Sequence, residues 1–148
     1  VQNSHYDFAP GSAEDKAYKS LSFRFDLPAR SIVYTGDTGP SPAVERFAAG
    51  ADLLVTEMID IDMTLARVAR NAPDMPAATR QQMVQHLTTH HLTPSDVGSL
   101  AARAGAKSLV VTHFAGGTGG PDRLAMLLAA VRGAYKGPVT LANDLDCF

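Results

Sequence analysis

Three short apolar runs constrain this chain most: "SIVYT" at 31–35, "DLLVT" at 52–56 and "SLVVT" at 108–112. Runs of this length, rich in β-branched residues, are the signature of buried strands. Helix punctuation fills the gaps between them. "SPAVERFAAG" has Ser41 as N-cap, Pro42 at the first helical position and Gly50 at the close. "TPSDVGSLAARAG" has Thr93 as cap, Pro94 first, Asp96 in the first turn and Gly105 closing it. Two more helices are predicted over Asp60–Arg70 and Thr79–His90, broken by "NAPDMP", and another over "GPDRLAMLLAAVRG" before a last strand, "PVTLAND". Upstream, "LSFRFDL" (Leu21–Leu27) alternates apolar and polar residues, and the Pro28-Ala29-Arg30 turn joins it to "SIVYT" as an antiparallel hairpin. Strands alternating with helices predict an α/β layer arrangement around a largely buried sheet.

In such sheets, ligand-binding groups collect beyond the carboxyl ends of the strands. Here Asp37 follows "SIVYTG", Glu57 follows "DLLVT" and His113 follows "SLVVT". The segment before Leu21 reaches the same edge, because an antiparallel strand starts where its neighbour ends; His5 is therefore placed with them. Each residue alone has an ordinary reading. Asp37 between glycines is a turn acid bonding its own backbone, His113 a satisfied, partly buried imidazole, and Glu57 a structural carboxylate or the orienting partner of a His. Their convergence points instead to a divalent metal, which needs fixed oxygen and nitrogen donors. His90 and His91 precede a helix N-terminus, where the dipole favours neutral imidazole; for His90 and His86 a solvated surface role competes. "HFAGGTGGPD" matches neither nucleotide fingerprint and is read as a flexible loop beside the site. Asp60, Asp62 and Asp74 are expected to be solvated. Met58, Met63, Met75 and Met83 are expected to pack a helical insertion, Ile59–Thr89, placed to act as a lid or substrate contact.

With 148 residues and 45% hydrophobic content, the chain suits one packed domain. A net charge of −2 without a charge run gives no sign of a nucleic-acid arm or membrane-surface patch. No apolar stretch has membrane-spanning length, and Cys147 is alone. A reducing compartment, the cytoplasm, is the expected location. The opening "VQNSHYDFAPGS" has neither an initiator Met nor a leader, which suggests a trimmed chain or the second part of something longer.

Three blocks, "SFRFDLPARSIVYTGDTGPSPAVERFAAGADLLVTE", "HLTPSDVGSLAARAGAKSLVVTHF" and "VTLANDLD", resemble, in order, the second half of metallo-β-lactamase-fold hydrolases. His91-Leu92-Thr93 with Thr112-His113-Phe114 resembles the ribonuclease Z branch in particular. The resemblance implies the carboxyl-terminal half of an αββα sandwich over residues 1–148, with the insertion at about 59–89. It implies a site for two divalent ions, zinc first with manganese or iron as alternatives. Asp37 then bridges the ions, His113 is the last His ligand and His5 the ligand ahead of the hairpin. Glu57 orients His91, which donates the proton to the leaving group. The implied reaction is attack of a metal-activated hydroxide on an ester, lactone or phosphodiester bond.

The family's His-x-His-x-Asp-His lies in the first half of the domain and is not in this sequence, so this chain alone is expected to have an incomplete site. The expected partners are the missing half or another chain, a small-molecule or phosphodiester substrate, and a second copy in a homo-oligomer; no membrane is expected. A half-sandwich would also bare an apolar sheet face. The alternative reading is a non-catalytic half-domain that binds or dimerises through that face. A third is a nucleotide-binding α/β domain using the glycine loops.

Overall fold

A computed structural model describes residues 1–6, 8–117 and 119–148. Its elements run α1 (Ala13–Ala17), β1 (Phe23–Leu27), β2 (Arg30–Tyr34), α2 (Pro42–Phe47), β3 (Leu53–Ile59), α3 (Ile61–Asn71), α4 (Ala77–Thr89), α5 (Pro94–Ala104), β4 (Leu109–Ala115), α6 (Pro121–Ala134) and β5 (Val139–Leu141). The five strands form one mixed α/β sheet in the order β1-β2-β3-β4-β5. Among the five strands only β1–β2 is antiparallel, as its two-residue connection, Pro28-Ala29, requires; the other pairs are parallel and need their helical crossovers.

The register sorts the sheet into two faces. Val33, Leu54 and Leu109 are aligned across β2, β3 and β4. With Val111 and Met58 they form a core against Val44 of α2, Val97, Leu100 and Ala101 of α5, and Leu127 and Val131 of α6. A fully buried side chain of this size contributes roughly 1.5–3 kcal/mol, so this face holds the domain together. On the other face Phe23 is opposite Tyr34 and Phe25 opposite Ile32. Phe23, Phe25, Leu27 and Tyr34 there are each about half-exposed. A strand alternating apolar and polar residues buries its apolar side when covered; in β1 the apolar side faces outward.

The helices start and stop where their caps dictate. Thr93 and Asp96 form a reciprocal capping box, and Gly105 closes α5 in the left-handed conformation. Ser41 caps α2, although that helix ends at Phe47, before Gly50. Asp60 is not the solvated acid expected. It is 2% exposed, caps α3 through the Met63 N–H and is gripped by Arg123 of α6, whose Nε and a terminal nitrogen donate to its two oxygens at 2.7 and 2.6 Å. Met58 belongs to the sheet core rather than to the insertion. Thr118, within the glycine-rich stretch, lies outside the described residues. Among those described, no helix is long and apolar enough to cross a membrane.

Candidate functional site

Three of the five expected residues, Asp37, Glu57 and His113, stand on or just beyond the strands. β2 ends at Tyr34, and Thr35-Gly36 carries the chain to Asp37. Gly36 has φ +62°, a conformation that only glycine adopts without strain. Gly39 has a different reason to be glycine: a Cβ there would run into the Thr89 carbonyl at the end of α4. The Gly-Asp-Thr-Gly loop and the insertion therefore touch backbone to backbone.

Glu57 lies within β3 and is 1% exposed. Three donors satisfy its carboxylate: the Thr38 N–H at 3.1 Å, the Leu92 N–H at 3.2 Å and Nδ1 of His91 at 3.0 Å. A carboxylate so provided for can stay buried. It accepts from Nδ1–H, which leaves Nε2 of His91 as the working nitrogen. The hydrogen bond to Glu57 holds His91 above the ordinary imidazole range, against the opposing effect of burial, with the Asp37 charge adding to it.

His113 is delivered by a break in the ladder. Thr56 pairs with Val111 and Met58 with Phe114, so Thr112 and His113 of β4 face Glu57 alone. This is a β-bulge, and its second residue, His113, has φ +44°. Left-handed backbone at a non-glycine residue costs roughly 1–3 kcal/mol and persists where surroundings enforce it. Here it turns the imidazole toward Asp37, with Nε2 3.4 Å from Oδ2. His113 is 61% and Asp37 32% exposed, so both present their donor atoms to solvent. An open cleft of about 610 Å³ lies beside His113, lined also by Thr112, Phe114, Asn143 and Asp144.

His5 arrives from the amino-terminal segment. The Asn3 amide donates to the Thr35 carbonyl at 2.8 Å, and the Ser4 hydroxyl donates to Gly39 O at 2.9 Å, fastening this segment to the Asp37 loop. His5 then joins a group the sequence reading did not assemble. The rings of His5, His86 and His91 stand 5.0–5.4 Å apart, roughly edge to face. One ring nitrogen of each lies within 4.8 Å of the other two. Burial, reinforced by the neighbouring imidazoles of His5, His91 and His90, pushes His86 below the ordinary imidazole value. The structure thus splits the expected set into an Asp37–His113 pair and a trio holding His5 and His91, with Glu57 behind His91. The sequence left His86 with a competing solvated role and did not assemble the trio; the available signal was His86 and His90 sharing one helix face one turn apart, directly before His91. A carboxylate with imidazoles suits zinc-class ions in its donor chemistry.

The family model described as "Beta-lactamase superfamily domain" matches residues 2–114. The chain belongs to the β-lactamase superfamily. Among solved structures, the metallo-β-lactamase fold protein YhfI from Bacillus subtilis superposes with a TM-score of 0.62 at 19% identity, covering 97% of this chain and 45% of its own. Human tRNase Z, short form, gives 0.50 at 21% identity, over 87% of this chain and 38% of its own. These neighbours share the fold.

More particular are relatives named ribonuclease Z. That of Mycobacterium marinum is 33% identical over 128 residues, 85% of this chain and 40% of its own length. That of Mycobacterium tuberculosis H37Rv is 30% identical over 127 residues, 85% of this chain and 41% of its own. The chain spans less than half the length of these two relatives.

Proposed function

We propose that the chain is the carboxyl-terminal half of a metal-dependent hydrolase acting on an ester, lactone or phosphodiester bond. One observation carries this reading: a solvent-facing pair, Asp37–His113, shares a sheet edge with a buried pair, Glu57–His91. The ribonuclease Z relatives favour a phosphodiester among the three bonds.

Asp37, His113 and His5 would hold the metal, two divalent ions with zinc first. Ions bound there would supply an activated water and polarise the scissile bond. The other steps belong to the chain's own side chains. Glu57 fixes the His91 tautomer and favours its protonated form. Nε2–H of His91 then donates to the departing oxygen, the task of a general acid. The cleft beside His113 takes the substrate. The remaining ligands come from a His-x-His-x-Asp-His half, in the same polypeptide or a second chain. That half also covers the Phe23–Phe25–Leu27 face.

In a polypeptide with both halves, Asp37→Ala and His113→Ala should each lose metal and hydrolysis together. Full metal content with full hydrolysis in both variants sinks the reading.

The bare face of β1 favours one other reading, a non-catalytic half-domain that binds or dimerises through it. Light scattering after size exclusion, paired with metal analysis, separates the two. A tight metal-free dimer whose added other half yields no hydrolysis favours the module.

A further inference from the structure

The His5–His86–His91 trio differs from the Asp37–His113 pair in where its residues come from. His5 belongs to the amino-terminal segment, His91 to the loop before α5, and His86 to the insertion helix α4. These segments are locked together. Nδ1–H of His90 donates to the Ser4 carbonyl at 2.9 Å, and Nδ1 of His5 faces the His90 carbonyl at 3.3 Å. A carbonyl only accepts, so both Nδ1 atoms carry hydrogen, and Nε2 is the nitrogen of His5 that can offer a lone pair to a metal. His91 likewise has its Nδ1 hydrogen held, by Glu57, so Nε2 is its nitrogen open to a proton or a metal.

An imidazole whose far nitrogen donates to a carboxylate or backbone carbonyl is the arrangement metal-binding histidines adopt, because it fixes the tautomer and raises ligand basicity. Two of the three rings have such support. The third, His86, is half-buried and stands edge to face with both. Nitrogens at the usual 2.0–2.1 Å from a tetrahedral ion are about 3.4 Å apart. The trio, within 4.8 Å, reaches that spacing by closing on an ion.

We propose that His5, His86 and His91 form a three-imidazole site, built within this chain, for a borderline divalent transition ion of the zinc class. An ion there takes the Nε2 that His91 would otherwise use as a proton donor, so metal and proton compete for one nitrogen. It also takes His5, which the proposed hydrolase would use beside Asp37 and His113; these two consequences rest on that reading, and the binding site does not.

The test is a cobalt(II) titration of the 148-residue chain, followed by ligand-field absorption, with zinc as competitor. Wild type should take up one equivalent in a tetrahedral field. His86→Gln should weaken uptake by about 100-fold or more, at or beyond the upper end of what supporting-residue changes do. Asp37→Asn should leave this uptake intact. Long-range proton–nitrogen spectra of wild type supply the second measurement, independent of any variant's folding. Added zinc should move the ring nitrogens of His5, His86 and His91, while His113 stays unchanged.

The proposal is overturned if wild type takes up no cobalt, if His86→Gln binds like wild type, or if zinc moves only His113. It is also overturned if both variants lose uptake, since the trio would then not be a separate site. Uptake lost in Asp37→Asn alone would overturn the trio while supporting the hydrolase reading. Uptake lost in His86→Gln alone supports the trio, and hydrolysis with both halves present then decides the other reading by itself.

Discussion

Two kinds of carboxylate sit in or just beyond neighbouring strands of this sheet. Glu57 and Asp60 are buried at 1% and 2% exposure and their oxygens are provided for: three donors on Glu57, and Arg123 with the α3 N-terminus on Asp60. Asp37 is 32% exposed, and its only side-chain partner among the described residues is His113 at 3.4 Å. The interior acids have partners inside this chain. The rim acid has room for something else. Interior acids with complete partner sets hold a fold together, whereas a rim acid contributes little to it, so substitutions should separate the two.

The largest expected effect is at Glu57. Glu57→Ala strands the buried Thr38 and Leu92 N–H groups and the His91 ring, and should cost about 4 kcal/mol in urea unfolding. Glu57→Gln keeps one acceptor and should cost less. A loss under about 1 kcal/mol for the alanine variant would show that the donors re-pair elsewhere.

Asp60→Asn comes next, at about 2–3 kcal/mol, because it removes the buried charge partner of the Arg123 guanidinium and leaves it only the exposed Asp62. The hydrogen bond from Arg123 holds Asp60 below its ordinary 3.8. A carboxyl lowered by folding stabilises the native state above its unfolded pKa and ceases to as pH falls through the folded one. The gap between wild type and Asp60→Asn should therefore be full at pH 6 and close in acid below 3.8. A gap unchanged down to pH 2 would assign the effect to packing.

These two acids also show what was legible in the sequence and what was not. The α5 helix could be read because Thr93, Pro94, Asp96 and Gly105 act locally. The strands could be read because burial imposes a pattern on consecutive residues, and the outward Phe23-Phe25-Leu27 stripe followed from the same alternation. Asp60 was misjudged because its partner lies 63 residues away on α6. His86 was missed for the same reason: His5, 81 positions earlier, reaches it only through the fold. The bulge that turns His113 was invisible, since two residues opposite one is a property of pairing. The short α1 buries no residue, so no periodic signal marked it.

Gly39 tests the junction between rim and insertion. Gly39→Ala places a methyl against the Thr89 carbonyl, and overpacking of that kind costs about 2 kcal/mol. The larger consequence is geometric: pushing away the end of α4 should move His86 from His5 and His91. Cobalt uptake by the chain should weaken more than the stability loss alone accounts for. Equal uptake, with stability reduced as expected, would mean that α4 yields elsewhere and the trio does not depend on this contact.

The smallest stability effect is expected at the rim, and it decides what Asp37 is. As a turn acid bonding its own backbone, Asp37 would act like other local capping acids, and Asn would replace it at little cost while Ala would lose about 1 kcal/mol. As a metal ligand it contributes almost nothing to the metal-free fold. Asp37→Asn and Asp37→Ala should then both fall within about 0.5 kcal/mol of wild type in urea with chelator present. The backbone already points to the second outcome. Gly36 supplies the turn's positive φ, and the side chain faces His113 rather than a local N–H. With both halves of the proposed hydrolase present and zinc added, the order should reverse. Asp37→Asn should lose the metal-dependent rise in melting temperature while Glu57→Gln keeps part of it. A rise that survives in Asp37→Asn would return this residue to the turn.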